Sequence, residues 1–69
     1  MNELALLIRS TREKHGLTQG QLAEVCGWSR QRITNIERGN TNIQVAVLQK
    51  IADALRLELS IKFTKLKNS

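Results

Sequence analysis

One short stretch concentrates side chains that can bind nucleic acid. If a helix runs from Arg30 to about Arg38, its outward face carries cations and amides without bulky apolar groups: Arg30, Gln31, Thr34, Asn35 and Arg38. Arginine pairs naturally with guanine and glutamine with adenine, and both also bind phosphate. We therefore expect Arg30 and Gln31 to contact DNA, the alternative being a solvated helix face. For Arg32, Thr34 and Arg38 a phosphate contact and plain solvent exposure both stay open.

The residues around this stretch predict two short helices that meet at a glycine. Thr18 and Gln21 have the spacing of a capping box, which opens a helix from Gln19 to about Cys26. Gly27 readily leaves right-handed helical angles, and Ser29 offers an N-cap to the next helix. The pattern is a helix-turn-helix in which the second helix would contact the partner.

Apolar residues at helical spacing predict four helices, over about 2–15, 19–26, 30–38 and 44–56. Glycines at 16 and 39 are expected to end the first and third helices. The core is expected on the apolar edges of these helices: Leu4, Leu7, Ile8, Leu22, Val25, Ile33, Ile36, Val45, Leu48, Ile51, Ala52 and Leu55. Cys26 is interpreted as a small buried residue, and Trp28 as packed in or beside the core.

The last segment changes period, because apolar and polar residues alternate from Leu57 to Thr64. That alternation predicts a half-buried strand over 57–64 whose apolar side is formed by Leu57, Leu59, Ile61 and Phe63. The rest of the sequence has no second strand pattern, so the pairing partner must be another chain. An antiparallel pair centred on Ser60 would set Glu58 opposite Lys62 of a second copy. We expect a homodimer joined by this strand.

The predicted fold is all-α with four helices and one C-terminal β-strand that pairs across a homodimer. The expected organisation is a DNA-binding domain over 1–56, a dimerisation strand over 57–64 and a basic tail over 65–69. Eleven lysines and arginines against six acidic residues give a net charge of +5, which favours an anionic partner, nucleic acid before a membrane surface.

Several classes of function are disfavoured by composition. A single cysteine cannot form an intrachain disulfide, and one cysteine with one histidine cannot complete a structural zinc site, so we expect no cofactor. The sequence has no tyrosine and no glycine-rich phosphate loop, and we expect no enzymatic activity. It has neither a signal-peptide pattern nor a run of about 20 apolar residues, which favours a soluble cytoplasmic protein.

The sequence over about residues 4–56 resembles the lambda-repressor/Cro-like family of helix-turn-helix regulators, also called XRE. The shared pattern reads L-T-Q-x-x-L-A, G-x-S, I-x-x-I-E-R-G and L-x-x-I-A-x-A-L. It is carried by Leu17, Thr18, Gln19, Leu22, Ala23, Gly27, Ser29, Ile33, Ile36, Glu37, Arg38, Gly39, Leu48, Ile51, Ala52, Ala54 and Leu55. The resemblance implies a four-helix transcriptional regulator that binds a pseudo-palindromic operator, commonly as a dimer.

The same resemblance implies roles for individual residues. Gln19 would bind a phosphate, and a set of residues would approach bases or the flanking backbone: Ser29, Arg30, Gln31 and Asn35. Arg12 and Glu37 would form a structural ion pair that orients the third helix. Asn40, just after that helix, is open between a phosphate contact and a role in shaping the loop.

The segment A-L-R-L-E-L-S-I resembles HipB-type antitoxins, which dimerise through a C-terminal strand. It implies an alternative function, in which the dimer also binds a toxin such as a HipA-like kinase and represses its own operon. Two residues depart from the family pattern, since Gly20 stands where glutamate is frequent and Trp28 where a smaller aliphatic residue is usual.

Overall fold

The computed structural model describes residues 3–60, which form four helices. They are α1 (Glu3–Lys14), α2 (Gln19–Cys26), α3 (Arg30–Glu37) and α4 (Val45–Ala54). The four predicted helices are confirmed, and α1, α3 and α4 are one to three residues shorter than the sequence suggested. None of the helices within 3–60 is both long and apolar enough to cross a membrane.

The side chains expected to open α2 and α3 do so. The Thr18 hydroxyl accepts from the backbone N–H of Gln21 at 3.1 Å, and the Gln21 side chain accepts from the backbone N–H of Thr18 at 2.8 Å. The Ser29 hydroxyl accepts from the backbone N–H of Arg32 at 3.2 Å. Both predicted N-caps are therefore confirmed, and they fix where the two helices of the motif begin.

All four helices end in the same kind of closing turn, in which one residue adopts left-handed backbone angles. In each turn the next residue donates its backbone N–H to the carbonyl five positions earlier, as in a Schellman motif. The left-handed residues are Gly16 (φ 68°), Gly27 (φ 72°), Gly39 (φ 75°) and Arg56 (φ 57°). The closing bonds are Leu17 to Arg12 (3.2 Å), Trp28 to Ala23 (2.8 Å), Asn40 to Asn35 (3.2 Å) and Leu57 to Ala52 (2.7 Å).

The core is centred on Leu22 of α2 and Ile33 of α3, whose side chains are fully buried. Buried residues from all four helices surround them: Ile8, Ala23, Cys26, Ile36 and Ile51. Trp28 is half-buried and packs against this cluster, and Cys26 is 2% exposed, so the interpretations of both residues are confirmed. The core thus fixes α2 and α3 against each other and leaves the opposite side of α3 in solvent.

The predicted core edges of α1, α2 and α4 are partly wrong. Leu4 and Leu7 of α1 are 38% and 58% exposed, and the buried face of α1 is instead Ala5, Ile8 and Arg12. Apolar residues flank Ile8 on both sides of the helix, and the side with Arg12 turns inward because Arg12 meets Glu37 of α3.

Two valines were also misplaced by the periodicity. Val25 of α2 and Val45 of α4 are 53% and 59% exposed. Each lies at the outer margin of its helix's apolar edge, and no described neighbour covers it to the extent that Leu22 and Ile51 are covered.

The chain after α4 runs as an irregular segment as far as Ser60. Leu57 and Leu59 border an open apolar groove of about 110 Å³ whose other walls are α1 and α4. A strand requires a hydrogen-bonded neighbour, and residues 3–60 contain no other strand that could supply one. The strand over 57–64 and its pairing stay predictions, and Ile61, Phe63 and the tail lie outside the described residues.

Candidate nucleic-acid interface

Helix α3 buries one side and presents the other to solvent. Ile33 and Ile36 face the core, and with 3.6 residues per turn the opposite side is centred on Gln31 and Arg38. Arg30, Gln31 and Arg38 are exposed, whereas Thr34 and Asn35 are half-buried on either side of the outward face. The five residues predicted to share one face are thus brought together, and Arg32, which was not among them, lies on the flank toward Trp28.

Two amides on this face are joined to each other. Gln31 Nε2 donates to Asn35 Oδ1 at 3.0 Å, one helical turn further along α3. Arg30 and Arg38 differ from them, because neither guanidinium forms a hydrogen bond or ion pair with another of the described residues. The face therefore offers one ordered amide pair between two cations that remain available to a ligand.

Arg32 is held against an aromatic ring. Its guanidinium carbon lies 4.1 Å from the centroid of the Trp28 ring, a cation–π distance. The sequence left Arg32 open between phosphate and solvent, and stacking on Trp28 was not foreseen. The four-residue spacing between Trp28 and Arg32 was the only sign of this contact in the sequence. The contact also depends on the closing turn at Gly27, which brings the indole alongside α3.

A buried polar network ties α3 to the two preceding helices. Arg12 Nε donates to Glu37 Oε2 at 2.7 Å and Arg12 Nη2 to Glu37 Oε1 at 3.0 Å. Gln19 Nε2 donates to the same Oε1 at 3.2 Å, and Gln19 Oε1 accepts from the Thr34 hydroxyl at 3.0 Å. The third arm of Arg12, Nη1, donates to the carbonyl of Leu17 at 2.7 Å. Three helices are thereby joined through one carboxylate.

The polar groups of this network have hydrogen-bond partners, and the network is almost completely buried. The side chains of Arg12 and Glu37 are 11% and 3% exposed, and no buried side-chain nitrogen or oxygen within residues 3–60 lacks a hydrogen-bond partner. The hydrogen bonds that Arg12 donates to Glu37 raise the pKa of Arg12 despite the opposing effect of desolvation, so the guanidinium stays charged. A carboxylate with this many donors keeps α3 at a fixed angle to α1 and α2.

Gln19 has a second role that sequence reasoning did not find. It was expected to bind phosphate, but in the structure its oxygen and one of its N–H bonds are engaged by Thr34 and Glu37. One N–H of the amide remains for an outside ligand. The motif could not reveal this, because Glu37 lies 18 residues further along the chain.

The first turn of α2 opens onto a surface crevice. Its volume is about 480 Å³, and it is lined by Arg12, Thr18, Gln19, Gly20 and Arg30. Backbone N–H groups in the first turn of a helix have no partner within the helix and carry partial positive charge. Gly20 has no side chain to cover them. Donors and cations around one opening suit a phosphate group.

A second crevice lies on the other side of α3. It measures about 290 Å³ and is lined by Ser29, Gln31, Arg32, Asn35, Ile36, Thr41, Asn42 and Val47. Ser29 uses its oxygen to cap α3 and keeps its hydroxyl proton for another acceptor. Asn40, predicted either to contact phosphate or to shape the loop, is exposed, and its backbone N–H closes α3. The loop residue Thr41 was not singled out from the sequence.

Comparison with known proteins decides the family. Residues 8–62, most of the chain, match the protein family described as helix-turn-helix. The chain belongs to this helix-turn-helix family. The XRE-type resemblance is therefore confirmed, and the family is one of DNA-binding transcriptional regulators rather than enzymes. The likeness of the C-terminal segment to HipB-type antitoxins stays a prediction.

Two relatives of this helix-turn-helix protein carry regulatory names. It is 32% identical over 66 residues to a competence pilus inhibition repressor of Acinetobacter baylyi, a match that covers 96% of the chain and 60% of that protein. It is 42% identical over 52 residues to an uncharacterized HTH-type transcriptional regulator of Methanothermobacter thermautotrophicus, a match that covers 75% of each. The chain thus spans less than two thirds of the length of the Acinetobacter relative.

Proposed function

We propose that this helix-turn-helix protein is a sequence-specific transcriptional repressor that binds a pseudo-palindromic operator in double-stranded DNA as a homodimer. The observation that carries the proposal is the outward face of α3, where the Gln31–Asn35 pair lies between the uncommitted cations Arg30 and Arg38. An α-helix fits the major groove, and these side chains can reach base edges there. Repression would follow from occupation of a promoter and needs no chemical step.

Phosphate contacts would position α3 in the groove. The best-supported site is the crevice at the first turn of α2, where the free N–H of Gln19 and the backbone amides surround an opening beside Arg30. Contacts from Ser29 and Arg32 along the second crevice, and from the exposed Asn40 just after α3, would hold the backbone on the other side of α3. Thr34 is a weaker candidate, because its hydroxyl already donates to Gln19.

Binding to the DNA upstream of its own gene tests the DNA-binding part of the proposal. The titration is followed by gel mobility shift at two salt concentrations, against an excess of unrelated DNA. We expect preferential binding that weakens steeply as salt rises, because each phosphate contact releases counterions. Binding with no preference for any sequence would contradict a sequence-specific repressor.

Two exposed arginines provide a matched pair of variants for that titration. Arg30 lies at the start of α3, and Arg9 lies on α1, where its one partner among residues 3–60 is the exposed Glu13. Each alanine substitution removes one positive charge. We expect Arg30→Ala to lose affinity by about 5- to 150-fold, the range for a lost base contact, and Arg9→Ala to behave like the wild type. Equal losses would indicate that net charge alone drives binding.

The homodimer rests on the segment after α4. Leu57 and Leu59 border the apolar groove, and the alternating pattern continues beyond the described residues in Ile61 and Phe63. A two-fold dimer would present two α3 helices to half-sites about 34–36 Å apart. Deletion of residues 61–69 should give a monomer in sedimentation equilibrium, whereas deletion of 65–69 should leave the dimer. A dimer that survives the longer deletion would place the interface elsewhere.

An antitoxin role is the second candidate, favoured by the likeness of residues 54–61 to HipB-type proteins. In that case the DNA-binding dimer would also bind a toxin, such as a HipA-like kinase. Co-purification of the full-length protein with the product of the adjacent gene tests this role. Absence of a complex with that product would leave repression alone.

A further inference from the structure

We infer that Gln31 and Asn35 act as one unit that reads an adenine, with Gln31 on the base and Asn35 as the positioning residue that holds Gln31 in the required orientation. The inference rests on the proposed function, because it requires α3 to lie in the major groove. The inference goes beyond the proposed function because it names the base and assigns a separate role to each of the two amides.

The hydrogen-bond inventory of the pair defines what it can offer a base. Gln31 Nε2 donates one proton to Asn35 Oδ1 at 3.0 Å, so Gln31 keeps its carbonyl oxygen and one further N–H. Adenine presents in the major groove an N6 amino donor beside the N7 acceptor. The remaining acceptor and donor of Gln31 match these two groups one for one, so the amide satisfies both partners at once.

The same inventory disfavours the other purine. Guanine presents two acceptors, N7 and O6, which require two donors side by side. Gln31 has one free N–H when it is bonded to Asn35, and that N–H can serve N7. Its carbonyl oxygen would then face guanine O6, so that two hydrogen-bond acceptors would oppose each other. Without Asn35 the Gln31 side chain could rotate and present both N–H bonds. The hydrogen bond between the amides is therefore what converts a general polar contact into a preference for adenine.

Asn35 is itself well placed to act as a fixed support. Its side chain is half-buried, and its backbone carbonyl accepts the N–H of Asn40 at 3.2 Å in the turn that closes α3. Gln31, by contrast, is exposed at the centre of the outward face. A flexible exposed side chain tied to an anchored one loses less freedom when it binds, which favours the bound geometry.

The match to adenine does not depend on which way the two amides are turned, whereas the rejection of guanine requires Gln31 to be the donor to Asn35. If both amides are reversed, Asn35 Nδ2 donates to Gln31 Oε1, which still has a second lone pair for the adenine amino group. Gln31 then uses one of its two N–H bonds on N7. Both arrangements leave an acceptor and a donor facing outward, although only the first removes the second donor that guanine would need.

Selection of binding sites from a duplex pool with randomised half-sites tests the inference, with the full-length wild type and four variants. Gln31→Ala should abolish selection of one adenine in each half-site, and Asn35→Ala should weaken it and admit guanine. Asn35→Asp keeps an acceptor for Gln31 and should restore the adenine preference at lower overall affinity. The control is Gln49→Ala on α4, which removes a similar hydrogen bond to Asp53 (2.7 Å) and should select the wild-type site.

A single-atom change in the DNA separates a base contact from a structural role. Replacement of the selected adenine by 7-deazaadenine removes the N7 acceptor, and we expect wild-type affinity to fall by about 5- to 150-fold. The same replacement should not change the affinity of Gln31→Ala. Misfolding of a variant cannot produce this result, because each protein is compared with itself on the two DNAs, one with adenine and one with 7-deazaadenine.

The two failures are distinguishable. In one outcome the wild type enriches a defined site in which no adenine depends on Gln31, and in another Asn35→Ala selects adenine as strongly as the wild type does. Either result would contradict recognition of adenine by the Gln31–Asn35 pair and would leave the proposed repressor function intact. If no sequence is enriched at all, sequence-specific binding fails, and the inference fails with it.

Discussion

The guanidinium of Arg12 in α1 meets the carboxylate of Glu37 in α3 through two hydrogen bonds, with both side chains almost entirely withdrawn from solvent. The pair lies behind the proposed DNA-binding face, and Gln19 connects it to that face. Removing one partner of a buried ion pair costs more than the pair contributes, because the other charge is left without compensation.

Arg12→Met should lower the free energy of unfolding by about 3–5 kcal/mol, since it leaves the Glu37 carboxylate buried and unpaired. For a domain of this size such a loss approaches the whole stability. Urea denaturation followed by far-UV circular dichroism measures it. Arg9→Met is the matched control, because Arg9 and Glu13 form a 3.6 Å pair that is 60% and 56% exposed, and it should cost no more than about 1 kcal/mol.

A double variant separates pairing from packing. In Arg12→Met with Glu37→Leu both charges are absent, and we expect much of the loss to be recovered because no buried charge remains. If the double variant were as unstable as Arg12→Met alone, the cost would come from lost packing around the Arg12 stem instead.

Gly20→Ala should stabilise α2 by up to about 1 kcal/mol. Gly20 has no positive φ, and an added Cβ would meet only the Thr18 hydroxyl oxygen, at 3.9 Å. Thermal unfolding gives the difference in stability. Gly27→Ala is the contrasting variant, because an alanine there must take φ 72°, and it should destabilise by about 1–2 kcal/mol. A gain from both substitutions would contradict the left-handed turn at Gly27.

Arg56→Gly should raise the free energy of unfolding by about 0.5–1 kcal/mol. Arg56 closes α4 at φ 57°, the position that the other three helices give to glycine. Glycine adopts these angles without steric cost, although its greater freedom in the unfolded chain offsets part of the gain. Arg56→Ala keeps a side chain in the same turn, so it should bring no such gain. Chemical denaturation of the two variants at one pH makes the comparison.

The wild type should lose stability above the ordinary pKa of a thiol. Burial raises the pKa of Cys26, with a smaller opposing effect from Lys50 and Arg32. The folded state therefore favours the protonated thiol. The resulting contribution to the free energy of unfolding is complete below about pH 8.5, the ordinary pKa at which an unfolded thiol ionises. It decreases as the pH rises from there toward the pKa of the folded state. Relative to Cys26→Ala, the wild type should become less stable between about pH 8.5 and about pH 10. A constant difference across that range would contradict the shift.

Local chemistry explains why so much of the helix layout could be predicted. Helix caps and closing turns involve residues that are close together in sequence, so the sequence reveals them. Examples are the hydroxyls of Thr18 and Ser29 and the glycine at position 27. The buried side of α1 was not visible in this way. Ile8 has leucines on one side and Arg12 on the other, and only the position of Glu37 in the fold decides between them.

The candidate site shows the same division between local and distant causes. Exposure of Gln31 and Arg38 follows from the burial of Ile33 and Ile36 on the same helix, which periodicity indicates. The engagement of Gln19 by Glu37 and Thr34 depends on how two helices cross, so no local pattern reports it. The left-handed angles of Arg56 were missed for another reason, since arginine carries no signal for them.

The stacking of Arg32 on Trp28 gives the chain a built-in optical probe. The sequence contains one tryptophan and no tyrosine, so the near-ultraviolet emission of the native protein comes from this single indole. The ring lies between the core and a guanidinium 4.1 Å from its centre. A ligand that draws Arg32 toward itself would change the quenching and polarity around the ring. The turn between α2 and α3 can therefore be followed spectroscopically in unlabelled protein.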